Sequence, residues 1–181
     1  MTDDLGAIRC QVWQLLQEGA SDRTSAARHI VLATVGRTGG AEARTVILRR
    51  AQQRIAALEF HTDRASEKVA EIEIHPYGTV LLWEPETALQ VRLRVMLSVR
   101  KGTEAEWGRI PAPSRFAYGG QPPSGQRIVN PGAVSLLQEP ERFAVIEARI
   151  EEIETLHLAT QPHRRALFRR ADDFTGAWLA P

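Results

Sequence analysis

An alternation of apolar and mostly polar residues between Leu89 and Arg100 constrains the fold of this chain more than any other feature. Apolar side chains occupy every second position, and the positions between them are Gln90, Arg92, Arg94, Met96, Ser98 and Arg100. Because successive side chains of a strand point to opposite faces, the pattern predicts a long strand with one apolar face. The arginines of the other face predict contact with water, an anion or another subunit.

Shorter patterns of this kind predict further strands, most of them joined by short turns. Gly39 and Gly40 form a pair typical of a hairpin turn. We expect the strand that ends at Trp83 to be buried on both faces, and the long strand near the C-terminus to bulge around Glu151-Glu152. The predicted strands cover residues 30–33, 43–50, 57–62, 77–83, 89–100, 143–156 and 164–170.

These predicted strands follow one another as hairpins, which favours antiparallel pairing. The expected fold is therefore mainly β, an antiparallel barrel of six to seven strands with a few small helices. The length of 181 residues fits one domain, residues 1–181.

Helical spacing of apolar residues predicts an amphipathic helix over about residues 3–19. Ser66 is predicted to cap a short helix that ends at His75-Pro76, since the residue before a proline disfavours helical backbone. Short helical turns are expected at residues 103–108 and 136–141.

Prolines and glycines concentrate between Pro111 and Gly132. Their density predicts a long irregular segment, and segments of this length in a single domain are often functional.

The charge and cysteine content limit the classes of function. Twenty-three basic residues oppose 22 acidic ones, so no overall field attracts nucleic acid or a membrane surface. No run approaches the 18 or so apolar residues of a membrane span, and the N-terminus lacks the order of a signal peptide. Cys10 is the only cysteine, and the histidines are scattered, which predicts neither a disulfide nor a metal site. We expect a cytoplasmic protein with a small-molecule ligand.

Arg44 and Lys68 are candidates for a local anion site. An arginine fork suits two phosphate oxygens, and a lysine in the first turn of a helix adds a point charge where free N–H groups also favour an anion. Thr62 and Ser66 would supply hydroxyl donors. Taken alone, such cations are more often solvated surface charges.

Six segments in order resemble the pyridoxamine 5'-phosphate oxidase family, whose fold is the FMN-binding split barrel. The family pattern is Arg-x-Val-Leu-Leu-Lys on a strand, then Phe-Tyr-Thr-Asn, Ser-x-Lys at a helix start, Asn-Pro, a buried Trp and Arg-Gln-Val. The resemblance runs from Ile30 to Pro181. The corresponding segments here are Arg44-Thr45-Val46-Ile47-Leu48-Arg49, Phe60-His61-Thr62-Asp63, Ser66-Glu67-Lys68, His75-Pro76, Leu82-Trp83 and Leu89-Gln90-Val91-Arg92.

The resemblance implies FMN as cofactor and a homodimer with FMN at the subunit interface. It assigns the phosphate to Arg44, Lys68, Thr62 and Ser66. Arg49 takes the place of a family lysine beside the reactive ring, and Gln90 matches a glutamine that bonds the pyrimidine end. The full set of implied FMN contacts is Arg44, Thr45, Val46, Ile47, Arg49, His61, Thr62, Ser66, Lys68, Gln90, Gln121, Ser124 and Arg165, of which Gln121 and Ser124 would reach the neighbour's flavin.

Several positions depart from the family pattern. Glu67 replaces a second basic residue, His61 replaces a tyrosine, and Leu156 stands where a flavin-contacting tryptophan is expected. On the substrate side, Ser114 alone survives from a Tyr…Arg…Ser series, and His163 from an Arg-x-His pair. Tight capture of a phosphorylated substrate is therefore not expected.

The leading hypothesis is an FMN-dependent oxidoreductase of unassigned substrate. A first alternative is pyridoxamine 5'-phosphate oxidase itself, with Arg109 or Arg115 replacing the lost cations. A second is a non-catalytic split barrel that binds flavin or haem, with His61, His157 or His163 as the haem ligand. The FMN hypothesis requires Arg44 and Lys68 to converge on one dianion.

Overall fold

The fold is a barrel of long antiparallel strands. The structure is a computed structural model that describes residues 4–159 and 161–181. Its ten strands in the described residues are β1 (His29–Val35), β2 (Ala41–Gln52), β3 (Ala57–Asp63), β4 (Tyr77–Glu84), β5 (Leu89–Lys101), β6 (Gly120–Gln121), β7 (Ser135–Leu136), β8 (Phe143–His157), β9 (Arg164–Arg169) and β10 (Ala177–Leu179).

Six of these strands close the barrel in the order β8-β3-β2-β1-β4-β5, and β5 pairs again with β8. All of these pairings are antiparallel. Strands β9 and β10 extend the sheet beyond β8, and β6 and β7 form a separate two-stranded ribbon. The prediction of a mainly β, antiparallel split barrel is confirmed.

The described residues also form three α-helices, α1 (Leu5–Ser21), α2 (Glu67–Ile74) and α3 (Glu104–Arg109). Helix α1 begins after Asp4, whose Oδ1 accepts a 2.8 Å hydrogen bond from the Gly6 N–H group. It ends two residues later than predicted, and residue 3 of the predicted range lies outside the described residues. None of the helices in the described part of the chain is long and apolar enough to cross a membrane.

The core fills the barrel and the space between the barrel and α1. The apolar face of β5 is buried from Leu89 to Leu97, as the alternation predicts. Phe60 from β3 and Phe168 from β9 are fully buried, and α1 adds Trp13. Burial of this continuous apolar surface is the main stabilising contribution.

The arginines on the outer face of β5 pair with glutamates of β8. Arg94 bonds Glu152 at 3.1 Å, and Arg100 bonds Glu147 at 2.6 Å. Arg92 pairs with Glu154 in the same row. This part of the face is therefore a ladder of neutralised ion pairs.

Two predictions about individual strands have different outcomes. The bulge in β8 is confirmed, because the register with β5 shifts by one residue at Glu151. The prediction that residues 77–83 are buried on both faces is wrong, since Tyr77 is 63% and Trp83 46% exposed. Only one face of β4 is buried in the core, at Val80 and Leu82, and the other face stays partly or largely exposed.

The helical turn expected at residues 136–141 is also displaced. Residues 135–136 pair as β7, and a 3-10 turn forms at Pro140–Arg142. The pairing of Ser135 with Gln121 gives residue 135 an extended backbone, and proline at the first turn position favours the later start.

Candidate functional site

An open cleft of about 550 Å³ lies on the outer wall of β2 and β3, next to the start of α2. Residues between 116 and 136 form its far side. We call residues 111–136 the covering segment. The residues of the barrel and α2 that line this β2–β3 cleft are Thr45, Val46, Ile47, Arg49, His61, Thr62, Asp63, Ser66 and Lys68.

The cleft collects most of the residues that the family resemblance assigns to a cofactor. Ser124 also lines it, from the covering segment of the same chain. Four assigned residues lie outside its lining, namely Arg44, Gln90, Gln121 and Arg165.

A β-bulge gives Arg49 its place in the cleft. Leu48 pairs with Phe60, but the next pair is Arg50 with Glu59, so Arg49 is the extra residue of β2. A bulge bends the strand and changes the direction of its side chains, and bulges are frequent beside functional sites. The Nε atom of Arg49 is buried and has no hydrogen-bond partner among the described residues. Sequence reasoning assigned Arg49 but did not detect this bulge.

Lys68 and two hydroxyl groups form the other end of the cleft. The Lys68 Nζ donates to Thr62 Oγ1 at 3.3 Å, and Thr62 Oγ1 lies 3.1 Å from Ser66 Oγ. Ser66 occupies the N-cap position of α2 as predicted, but its hydroxyl makes no capping bond because it bonds Thr62 instead. The first turn of α2 is thus left without a side-chain cap beside the lysine.

Burial lowers the pKa of Lys68, and the nearby positive charge of Arg44 lowers it further. The carboxylates of Glu71, Asp63 and Glu67 act in the opposite direction. A bound anion beside Lys68 would oppose both lowering effects, because it stabilises the charged ammonium group.

Arg44 projects from the opposite face of β2, toward the mouth of the barrel below α2. Its guanidinium bonds Glu71 Oε2 at 2.8 Å and also the hydroxyl of Thr34. The structure therefore brings Arg44 near Lys68 but engages it with a buried carboxylate. That both cations bind one dianion stays a prediction.

The charge of the cleft is positive. Among the described residues, Asp63 is the only acidic residue of its lining. It accepts two 2.8 Å bonds from Arg142 and a 3.0 Å bond from the Gly119 N–H group, so its charge is compensated. The ion pairs of the described residues include neither Arg49 nor Lys68. Two cationic side chains thus face the cleft without a carboxylate partner.

His61 contributes a neutral imidazole. Burial lowers its pKa to about 4, and the charge of Arg49 adds to this effect. Its ring contacts Phe143 edge-on at 4.8 Å between centroids, and its Nδ1 atom is buried without a hydrogen-bond partner in the described residues.

Tyr118 is a cleft residue that sequence reasoning missed. Its side chain lies beside Arg49 and is 4% exposed. An aromatic residue within a Pro/Gly-rich segment was the available signal. That segment has no periodicity, however, so the sequence does not show which side chain turns inward.

Glu67, the acidic departure from the family pattern, lies against the covering segment. A Cβ atom at Gly125 would be 2.7 Å from the Glu67 carboxyl carbon, and Gly125 has a φ of +91°. The positive φ favours glycine at this position, whereas the Glu67 side chain could move to admit a Cβ atom. The close approach joins the covering segment to the start of α2.

Two other assigned residues, Gln90 and Arg165, lie in a separate row with Leu156. Gln90 of β5 pairs with Leu156 of β8, and Leu156 pairs with Arg165 of β9. Arg165 also bonds Glu154 at 3.1 Å. His61 pairs with Val145, eleven residues before Leu156 on β8, which is about 35 Å of strand. The row and the cleft are therefore far apart within one chain.

The candidate substrate residues also lie apart from the cleft. Ser114 is exposed in a 3-10 turn, and His163 lines a surface pocket with Arg165 and Trp178.

His157, a candidate haem ligand, bonds the carbonyl oxygen of Thr87 through Nε2 at 2.7 Å. Gln121 pairs with Ser135 in the small ribbon.

Comparison with known proteins gives a family and a fold. A sequence model described as "Pyridoxamine 5'-phosphate oxidase, FMN-binding domain" matches residues 11–101, which are 91 of the 181 residues. No curated protein matches the sequence significantly.

Three solved structures illustrate the fold similarity. A pyridoxamine 5'-phosphate oxidase-related, FMN-binding protein from Nostoc punctiforme is 23% identical, with a TM-score of 0.76 over 100% of this chain and 99% of that one. PhzG from Burkholderia lata, in complex with tetrahydrophenazine-1-carboxylic acid, is 19% identical, with a TM-score of 0.73 over 97% and 92%. General Stress Protein 26 from Bacillus anthracis is 19% identical, with a TM-score of 0.51 over 79% and 98%.

Proposed function

The chain belongs to the pyridoxamine 5'-phosphate oxidase family with an FMN-binding domain, and on this basis we propose that it binds FMN in the β2–β3 cleft and acts as an FMN-dependent oxidoreductase. The observation that carries the proposal is the pair of unneutralised cations, Arg49 and Lys68, in one cleft. A ligand with a dianionic phosphate and a ring that becomes more negative on reduction fits that pair.

The residues present fit FMN at both ends. Lys68, Thr62 and Ser66 offer a positive charge and two hydroxyl groups at the uncapped start of α2, a favourable arrangement for a phosphate. Arg49, with its unpartnered buried Nε, stands at the other end. Bound FMN would supply the redox chemistry, while the protein supplies orientation and charge.

Arg49 would act through its position next to the ring. Its charge is not cancelled by a carboxylate, so it favours the accumulation of negative charge in front of it. His61 remains neutral at pH 7 because of its lowered pKa, and adds no second charge there.

We further propose a homodimer in which each flavin contacts two chains. The row of Gln90, Leu156 and Arg165 crosses β5, β8 and β9 too far from His61 to reach a ligand in the cleft of the same chain. A second copy related by a two-fold axis would bring its row to this cleft, and each chain would then serve both sites.

The substrate is proposed to be a small molecule without a phosphate group. Arg115, a candidate replacement cation, donates from Nε to the Ile110 carbonyl oxygen at 2.9 Å and stacks over Trp107 at 5.4 Å. Arg109 donates to the carbonyl oxygen of Ala105 at 3.1 Å. Neither faces the cleft, which weakens the case for pyridoxamine 5'-phosphate as substrate.

The test is FMN binding by the purified protein and by Lys68→Ala. We expect wild-type protein to release FMN on denaturation and the stripped protein to bind it again with a shifted visible spectrum. Lys68→Ala should weaken binding about tenfold or more, because a charge-assisted bond is lost. Lys101→Ala is the matched control, since Lys101 is the only other lysine and pairs with Glu141 outside the cleft.

A correctly folded wild-type protein that carries no flavin and shows no spectral change on titration with FMN would overturn the proposal. Equal losses of affinity in Lys68→Ala and Lys101→Ala would show that FMN binds elsewhere.

A further inference from the structure

Tyr118 meets Arg49 from the opposite wall of the β2–β3 cleft. Arg49 is the bulge residue of β2, and Tyr118 comes from the covering segment, 69 positions later in the chain. Burial raises the pKa of Tyr118, and the adjacent positive charge of Arg49 opposes this rise. Both side chains line the same cleft, so the phenol and the guanidinium face the same ligand space.

Tyr118 is rigidly placed. Its ring packs edge-on against Phe143 at 5.1 Å and against Trp107 at 5.9 Å. Its backbone N–H donates to Arg115 and its carbonyl accepts from Glu139, both at 3.0 Å. With ring and backbone both fixed, the position of the hydroxyl group is determined by the barrel and the covering segment together.

Arg49, in contrast, is half-buried without a carboxylate partner in the described residues. The described residues give it no ion pair, and its buried Nε has no partner. The positive charge of nearby Arg28 repels the guanidinium of Arg49. A long side chain with free rotamers loses affinity for a ligand unless something orients it before binding.

The partner of Arg49 differs in kind from those of two other arginines. Arg44 faces the carboxylate of Glu71, and Arg142 faces that of Asp63, so both charges are compensated. Tyr118 instead offers a neutral oxygen. A neutral acceptor can orient a guanidinium by a hydrogen bond and leave its full charge available to a ligand.

We propose that Tyr118 is a positioning residue that aims the Arg49 guanidinium at the ring of bound flavin and so favours the reduced state of the cofactor. This inference rests on the proposed FMN site. Arg49 stabilises the reduced ring, which carries more negative charge than the oxidised ring, only while it is held in front of it.

The test is the reduction potential of the FMN-loaded Tyr118→Phe protein. Phenylalanine keeps the ring contacts with Phe143 and Trp107, so the fold should be retained. We expect the affinity for reduced FMN to fall about tenfold relative to that for oxidised FMN. This ratio corresponds to a potential lower by about 30 mV for a two-electron couple. The potential is measured by slow enzymatic reduction against a reference dye.

Two further variants separate positioning from packing. Tyr77→Phe changes the only other tyrosine, which is exposed on β4, and should keep the wild-type potential. In an Arg49→Met background, Tyr118→Phe should cause no additional shift, because the residue through which Tyr118 acts is gone. A merely structural effect would lower affinity for both flavin states equally and leave the potential unchanged.

A wild-type potential in Tyr118→Phe overturns this inference and leaves the proposed function standing. An equal shift with Arg49 and with Met at position 49 also overturns it, since Tyr118 would then act independently. Absence of FMN binding by the wild-type protein overturns the proposed function itself.

Discussion

Arginine side chains in this protein differ in function according to the group that each one faces. The buried carboxylate of Glu71 compensates Arg44, whose side chain is 23% exposed. Asp63 bonds Arg142 through both carboxylate oxygens. Among these three, Arg49 is the one that lines the cleft, and the described part of the chain gives it no carboxylate partner. Loss of Glu71 or Asp63 would leave Arg44 or Arg142 with an uncompensated charge, so each carboxylate stabilises its arginine in the folded protein.

His61 should make the stability of the protein sensitive to mild acid. Its pKa is about 4 in the folded protein, against 6.5 for the free side chain, because burial and Arg49 disfavour the charged ring. Between these two values the unfolded chain binds more protons. The contribution of His61 to stability is therefore complete above pH 6.5 and is lost as the pH falls toward 4. We expect a loss of about 1 to 2 kcal/mol after allowance for the partial exposure of the ring.

Urea unfolding of wild type and His61→Gln at pH 7, 6 and 5 measures this effect. The difference in unfolding free energy between the two proteins should shift against the wild type as the pH falls. His29→Gln, at an exposed position outside the cleft, controls for the loss of an imidazole. Parallel pH profiles for wild type and His61→Gln would contradict the prediction.

At the scale of elements, the cleft depends on short pieces of structure that fix the covering segment. Helix α3 carries Trp107, which contacts both Tyr118 and Phe143. This helix has only six residues, too few to be stable by itself. Its capping box compensates in part, because Thr103 Oγ1 accepts from the Glu106 N–H group and Glu106 accepts from the Thr103 N–H group.

Thr103→Ala should destabilise the protein by about 1 kcal/mol, the usual effect of removing an N-cap hydroxyl. Thr103→Ser keeps the hydroxyl and should remain close to wild type. Chemical denaturation of the three proteins provides the comparison. If alanine and serine had the same effect, the cap would not stabilise α3.

At the scale of the whole molecule, the cleft and the Gln90–Leu156–Arg165 row are far apart within one chain. This separation allows a test of whether two chains together form each FMN site. Lys68→Ala removes a cleft cation and Arg165→Ala removes a cation of the row. In the proposed dimer, each variant alone damages every site. A mixed dimer has one site with both changes and one site with neither.

Mixing the two variants under conditions that exchange subunits should restore high-affinity FMN binding to about a quarter of the wild-type sites, because about half of the dimers are mixed. FMN titration before and after mixing measures the recovery. A monomeric protein with wild-type affinity, or a mixture without recovery, would contradict the shared site.

The main strands were predictable from sequence because the signal for a strand face is local. Residues 89–97 alternate, and the buried side of β5 follows from that alternation alone. The same reasoning failed for β4, where apolar residues such as Tyr77 and Trp83 lie on an outer face. An apolar run does not reveal whether another element covers its second face.

The order of the assigned segments also indicated which residues of β2, β3 and α2 would meet, because hairpin neighbours are adjacent in space. The sequence by itself thus determined the buried face of β5 and the family. Only the tertiary structure decided that Arg44 pairs with Glu71, that a bulge redirects Arg49, and that Tyr118 reaches it from a segment without periodicity. These contacts depend on closure of the barrel and on the path of the covering segment, and long-range packing of this kind leaves no local pattern in the chain.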